Sequence, residues 1–151
     1  MKKRDSISDD EWQELTEAAL EAVKKAYAPY SKFQVGAALL TEAGTIVPGC
    51  NVENASYGLT LCAERTAVAS AVVQGIQEFR ACVVVTHTSP PSSPCGMCRQ
   101  VLHEFAPHLP VRMVNPQGEV LQTRIDTLLP QSFDKEQLFN ALKVDEEPQQ
   151  S

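Results

Sequence analysis

The chain has 151 residues, of which 43% are hydrophobic and 21% charged, so it can bury a core of its own without a disulfide framework. Its net charge of −6 and pI near 5.0 leave no basic field for a nucleic-acid backbone, and no apolar stretch approaches the roughly 18 residues of a membrane span. An acidic segment follows the basic residues 2–4, where an export signal would need an apolar run. We expect one cytoplasmic domain over residues 1–151, with flexible N-terminal residues and an acidic tail at 144–151.

The first predicted element is an amphipathic helix. Ser8 and Glu11 have the spacing of a capping box. Apolar residues then recur at helical spacing from Trp12 to Ala26, and Pro29 marks the end of the segment.

Two strands are predicted next. The segment "QVGAALL" predicts a buried strand and "TEAGT" a turn, while "TIVPGCNV" predicts a second strand that is interrupted by its Pro-Gly pair. Together they predict an antiparallel hairpin with an irregular end.

The rest of the chain alternates helices and strands. A buried, alanine-rich helix with little polar surface is predicted over 62–74, closed by Gly75, and "ACVVVT" predicts a central strand that is covered on both faces. After a Pro- and Ser-rich loop, a helix is predicted from Cys95 to Phe105, followed by the hairpin "VRMV", "NPQG", "EVLQ" and the helix "DKEQLFNAL". This order predicts an α/β protein, a three-layer α/β/α sandwich with a mixed sheet of about five strands.

The five cysteines are an odd number, which argues against a disulfide framework. In "PCGMC", Cys95 and Cys98 are spaced so that both sulfurs can face one ion at the start of a helix. On its own the pair is compatible with half of a zinc site, a redox couple, an iron–sulfur ligand pair or no function. Its position late in the chain disfavours a thioredoxin-like redox couple, and no second C-x-x-C or His pair completes a four-ligand zinc site.

Cys62 has the chemical neighbours that the other candidates lack. Cys82 lies in an apolar strand and Cys50 beside a strand end, where buried thiols are ordinary, and the three histidines occupy a strand end, a helix surface and a loop. A catalytic zinc keeps three protein ligands and an open position, so Cys62 would complete the set. Glu64 is then placed to move protons, and Arg65 to draw charge from the sulfurs. A first-turn acid and a surface salt bridge are the structural alternatives for these two residues.

The combination of "CAE" and "PCGMC" resembles the zinc deaminase signature. The wider segments "AYAPYSKFQVGAALLTEAGTIVPGCNVENASYGLTLCAERTAV", "SPCGMCRQVLHEF" and "LLPQSF" resemble the small homotetrameric cytidine deaminases from about Ala26 to Phe133. The resemblance implies one Zn²⁺ per subunit, bound by Cys62, Cys95 and Cys98. It also implies hydrolytic deamination of cytidine and 2′-deoxycytidine in pyrimidine salvage, with Glu64 as the proton carrier.

The resemblance assigns further residues as well. It implies that Asn51 and Glu53 hold the ribose and that Phe33 and Ala63 line the nucleoside pocket. Tyr57 and Phe133 are implied to contribute to the pockets of neighbouring subunits. Arg65 is implied to bond to the ligand sulfurs. A carboxylate at 53 would repel a phosphate on the same sugar, so a free nucleoside is the expected substrate. The alternative for "NVEN" is a strand end whose side chains bond the backbone.

Three other functions remain open from the residues. A deaminase for a modified cytosine nucleoside such as blasticidin S would share the zinc motifs. A zinc-stabilised binding module would need no acid beside an open coordination position. A dithiol redox protein would need a reversible Cys95–Cys98 disulfide.

Overall fold

The computed structural model describes residues 6–144. Its helices are α1 Asp9–Val23, α2 Ala63–Val73, α3 Gly96–Phe105, α4 Ile125–Leu128 and α5 Lys135–Val144, and a 3₁₀ turn spans Tyr57–Leu59. Its strands are β1 Gly36–Thr41, β2 Ile46–Cys50, β3 Phe79–Val85, β4 Pro110–Val114 and β5 Val120–Arg124. The predicted flexible N-terminal residues 1–5 and, apart from Val144, the acidic tail lie outside the described residues. No helix within 6–144 has both the length and the apolar character needed to cross a bilayer.

The strands form one mixed sheet in the order β2-β1-β3-β4-β5. β3 and β4 are parallel, and every other neighbouring pair is antiparallel. α3 connects the two parallel strands, so its first turn lies at their carboxyl ends. This edge of an α/β sheet is where ligand sites usually form.

Side chains of β3 alternate between the two faces of the sheet. Ala81, Val83 and Val85 pack against α1 on one face, whereas Cys82 and Val84 pack in the cluster formed with α2 and α3 on the other. Helices therefore cover both faces, as predicted for a three-layer α/β/α sandwich. The capping box also forms at the start of α1.

α1 is shorter than its periodicity predicts. Lys25 N–H donates to the carbonyl of Ala22 and Ala26 N–H to that of Val23, so the last turn tightens and the helix ends at Val23. Tyr27 then leaves the helical path and pairs with Val52 in an isolated β-bridge. The prediction that the helix continues to Ala26 is wrong.

Two further expectations need correction. Pro48 does not interrupt β2, since it pairs with Ala38 in an unbroken register. β2 is an edge strand, where a residue without an N–H is tolerated.

α2 is not buried all round, because only one of its faces meets the sheet, and Val73 is 84% exposed. The short helix α4 and the 3₁₀ turn were not predicted.

Candidate active site

Three cysteine sulfurs converge where α2 and α3 begin. Cys62 is the N-cap of α2 and Cys95 the N-cap of α3, while Cys98 lies one turn into α3. The three Sγ atoms lie within 4.8 Å of one another, and those of Cys62 and Cys95 are 3.7 Å apart. Helix starts carry partial positive charge, which favours thiolates at these positions.

The first turn of α2 is fixed against the end of β2. Val52 and Leu61 exchange two backbone hydrogen bonds of 2.9 Å, which places Cys62 beside the polar residues that follow β2. Thr66 Oγ1 also donates to the carbonyl of Cys50 at 2.7 Å. Gly49 allows this close packing, because a Cβ there would lie 2.4 Å from the carbonyl oxygen of Ala63.

Glu64 is a buried carboxyl group at the cysteine cluster. The residue is only 3% exposed, and its Oε2 lies 3.5 Å from Cys98 Sγ. Burial raises the pKa of Glu64 above its ordinary value. A carboxyl group with a raised pKa holds and passes on a proton more readily than a solvated glutamate does.

The protonation states of the cysteine sulfurs favour the binding of a cation. Hydrogen bonds from the thiol of Cys98 and then from Arg65 lower the pKa of Cys62 to about 5. The pKa of Cys98 is raised, because its proton is shared with Cys62 and because the residue is buried. Arg65 Nη2 lies 3.6 Å from Cys62 Sγ and donates to the carbonyl of Thr60 at 3.1 Å. One thiolate is thus already favoured, and a divalent cation would displace the remaining protons.

The donor set fits zinc. Three thiol sulfurs from two helix starts match the soft ligands that Zn²⁺ takes, and all five cysteines are free of disulfides. Within residues 6–144 this cluster has no fourth His, Cys, Asp or Glu ligand. Three protein ligands with an open position are typical of a catalytic rather than a structural zinc site.

The two polar residues after β2 fix a loop in this structure. Asn51 Oδ1 accepts the N–H of Val35 at 2.8 Å, and its Nδ2 donates to the carbonyl of Phe33 at 2.7 Å. The carboxylate of Glu53 accepts the Ser31 N–H at 3.1 Å and also the Ser31 hydroxyl, and these bonds lower the pKa of Glu53. The backbone-bonding alternative is therefore realised, while one Asn51 N–H and further carboxylate lone pairs are left over for a ligand. The roles of both residues at a ribose stay predictions.

The residues expected to line the nucleoside pocket differ in their exposure to solvent. Ala63 is fully buried as the first residue of α2. The aromatic side chains are exposed, Phe33 by 44%, Tyr57 by 75% and Phe133 by 61%. The ring of Tyr57 meets that of Tyr30 edge to face at 6.0 Å. Their contacts with a nucleoside remain predictions.

The sequence reasoning missed Arg99. Its guanidinium donates to the carbonyls of Pro94 at 2.8 Å and Leu128 at 2.9 Å, and to the hydroxyl of Ser93 at 2.8 Å. An arginine that directly follows the second cysteine of "PCGMC" was the available signal.

One cavity lies away from the cysteine cluster. It measures about 890 Å³ and lies at the amino ends of β3 and β4, lined by residues that include Trp12, Arg80 and Arg124. Both arginines are in ion pairs, with Glu11 and Asp126 respectively. No cysteine lines this cavity, so the chemistry favours the cysteine cluster as the active site.

The family model described as "Cytidine and deoxycytidylate deaminase zinc-binding region" matches residues 9–112. The chain belongs to this family. A cytidine deaminase of Sporosarcina psychrophila is 50% identical over 130 residues, which are 85% of this chain and 96% of that protein. The crystal structure of a cytidine deaminase from Burkholderia pseudomallei superposes with a TM-score of 0.79 at 52% identity, covering 84% of this chain and 100% of that one. A blasticidin-S deaminase of Bacillus cereus is 34% identical over 80% of this chain and 90% of its own length.

Family membership confirms several predictions from the sequence. The resemblance to cytidine deaminases is confirmed, as are the fold class and the assignment of the chain as a hydrolase of this family. Zinc as the cofactor is confirmed by the zinc-binding family and by the three-thiol cluster.

Proposed function

We propose that the protein hydrolyses cytidine and 2′-deoxycytidine to the corresponding uridines and releases ammonia. The observation that carries this proposal is the buried carboxyl group of Glu64, whose Oε2 lies 3.5 Å from Cys98 Sγ inside the three-thiol cluster. The relatives at 50% identity and at a TM-score of 0.79 that are named cytidine deaminases support the same substrate class.

Different residues bind the metal and transfer protons. Zn²⁺ bound by Cys62, Cys95 and Cys98 would supply Lewis acidity that makes a water molecule a good nucleophile at neutral pH. Glu64 accepts a proton from the attacking water and delivers it to ring nitrogen 3. Glu64 then takes the proton of the hydroxyl group on carbon 4 and passes it to the amino nitrogen, so that the carbonyl forms, the bond between carbon 4 and nitrogen breaks and ammonia leaves.

Arg65 and the two helix starts offset the charge of three thiolates. The guanidinium contacts Cys62 Sγ, and the first turns of α2 and α3 point partial positive charge at the sulfurs. Charge withdrawn from the sulfurs leaves the metal more electrophilic than three isolated thiolates would.

The region after β2 favours a free nucleoside. The bonds from Ser31 keep Glu53 ionised, so a negative charge stands where we place the sugar, beside Asn51. A 5′-phosphate on that sugar would be repelled. Because the family's name includes deoxycytidylate, the assay should contain dCMP, and a preference for dCMP over both nucleosides would overturn this part of the proposal.

The decisive variant is Glu64→Gln, with Glu104→Gln as its matched control on an exposed position of α3. We expect Glu64→Gln to retain zinc and lose at least a hundredfold in turnover of cytidine, because general acid–base catalysis contributes about 10²–10⁴-fold. Glu104→Gln should match the parent. A Glu64→Gln enzyme within about tenfold of the parent, a change below about 1.4 kcal/mol, would refute the proton-carrier role.

The blasticidin-S deaminase relative makes a modified cytosine nucleoside the second candidate substrate. Measuring ammonia release from cytidine, deoxycytidine, dCMP and blasticidin S in parallel separates the candidates. Full zinc content without any deamination would favour a binding module. A reversible Cys95–Cys98 disulfide with reductase activity would favour a redox protein.

Three further properties belong to the same proposal. A role in pyrimidine salvage follows from deaminating free nucleosides, in a single domain over residues 1–151. A homotetramer is supported by the exposed rings of Tyr57 and Phe133, which a neighbouring subunit can cover. If light scattering showed that the active protein is a monomer, the homotetramer would be contradicted. A cytoplasmic location is supported by the need to keep five thiols reduced.

A further inference from the structure

Arg99 connects three separate parts of the chain around the cysteine cluster. Its Nε and Nη2 atoms reach the Pro94 carbonyl and the Ser93 hydroxyl, which directly precede Cys95, and Nη1 reaches the Leu128 carbonyl at the end of α4. All three bonds are 2.8–2.9 Å long. One planar guanidinium therefore joins the turn before a metal ligand to the end of α4.

Of the three sulfur ligands, Cys95 is the one that most needs such support. Cys98 is fully buried in α3, and Cys62 is half-buried and bonded to Arg65. Cys95 is exposed, so packing does little to set its position, which depends on the backbone of Ser93 and Pro94.

The earlier part of this loop has its own supports. Thr86 Oγ1 accepts the N–H of Ser92 at 2.9 Å, and Asn115 Nδ2 donates to the carbonyl of Thr88 at 3.0 Å. Removing the Arg99 side chain should therefore loosen residues 93–95 and leave the preceding part of the loop in place.

We propose that Arg99 is a positioning residue that presets Cys95 for zinc by holding Ser93 and Pro94 against α3 and α4. The inference rests on the zinc site of the proposed function and adds a residue that acts on the metal through a ligand's backbone. Lysine cannot replace it, because an ammonium group has no planar fork and cannot reach three divergent acceptors together.

The test compares zinc-loaded Arg99→Ala and Arg99→Lys with Gln100→Ala. Gln100 is the adjacent residue on α3, and its side chain donates one bond of 2.6 Å to the Phe133 carbonyl, away from the metal turn. Zinc transfer to an excess of a coloured chelator is followed by absorbance. We expect transfer about 10–100-fold faster from Arg99→Ala, the usual cost of losing a group that orients a ligand, and at least threefold faster from Arg99→Lys. Gln100→Ala should stay within twofold of the parent.

A second readout needs no zinc. Hydrogen exchange of the metal-free proteins should be faster for a peptide that covers residues 92–95 in both Arg99 variants and unchanged in Gln100→Ala. Equal acceleration by Arg99→Ala and Gln100→Ala would mean general loosening of α3 and would overturn the proposal, as would unchanged exchange and transfer.

The outcomes also separate this inference from the proposed function. A parent protein that holds no zinc would refute the proposed function, while exchange at 92–95 would still decide the role of Arg99. Should Arg99→Ala not fold, Arg99→Lys against the parent decides it in the same way.

Discussion

Replacing Gly49 with alanine should damage the zinc site through the backbone of α2. The new Cβ would lie 2.4 Å from the carbonyl oxygen of Ala63 and 2.6 Å from the N atom of Ala67, whereas ordinary contacts begin at 3.4 Å. These are backbone atoms that cannot rotate away, so the start of α2 must move by about 1 Å from β2. Overpacking of this kind costs about 1–3 kcal/mol, and we expect Gly49→Ala to lie near the upper figure. Because Ala63 lies between Cys62 and Glu64, both should move with it.

Two other glycines supply matched controls. A Cβ on Gly36 would lie 2.3 Å from the carbonyl oxygen of Ala19 in α1, which carries no candidate site residue, and a Cβ on Gly58 would meet nothing within 4 Å. In urea unfolding, Gly49→Ala and Gly36→Ala should each lose about 2–3 kcal/mol and Gly58→Ala almost nothing. Zinc transfer to a chelator should accelerate at least about tenfold only in Gly49→Ala. Unchanged stability of Gly49→Ala, or equal zinc loss in Gly36→Ala, would show that the close approach of Gly49 to α2 does not hold the zinc site in place.

Three other predictions concern charge and metal. The Arg80 guanidinium beside Glu11 lowers the pKa of that carboxyl group to about 2, so the stabilisation is present above the unfolded pKa of about 4.5 and is lost as pH falls from 4.5 toward 2. After allowance for solvent screening, Glu11→Gln should cost about 1–2 kcal/mol in urea unfolding at pH 7 and only a small part of that at pH 2, where the carboxyl group of Glu11 is half protonated, and an equal cost at both pH values would contradict this. Chelation should abolish deamination and lower the melting temperature, and added Zn²⁺ should restore both; activity that survives complete removal of zinc would argue against a metal-dependent reaction. Arg65→Gln should weaken zinc binding about tenfold in a competition assay by removing the donor to Cys62 Sγ, and unchanged affinity would make the 3.6 Å contact incidental.

Parts of the site and of the fold that depend on local sequence patterns were predicted correctly. Cys62 and Cys95 were recognisable because each stands at the start of a helical pattern, and "ACVVVT" because a continuous apolar run fits a strand covered on both faces. The hairpin after α3 was recognisable by its turn residues, and β4 and β5 do pair antiparallel. These signals are local, so a single sequence contains them.

Features that depend on distant parts of the chain could not be predicted. The end of α1 is set by the bridge between Tyr27 and Val52, residues far apart in the sequence, whereas apolar periodicity alone continues to Ala26. The tolerance of Pro48 depends on β2 being an edge strand, which only the sheet order reveals. The contacts of Arg99 join residues up to 29 positions apart, and nothing in the sequence indicates them beyond its place beside Cys98.

The zinc content of the purified protein and of two cysteine variants tests the three-thiol site most directly. We expect one zinc per chain in the parent, because three sulfurs lie within 4.8 Å of one another. Cys82→Ala should keep that zinc, since this buried thiol is not one of the three converging sulfurs, whereas Cys62→Ala should lose it together with cytidine deamination. A Cys62→Ala protein that holds a full equivalent of zinc as tightly as the parent would show that Cys62 is not a zinc ligand.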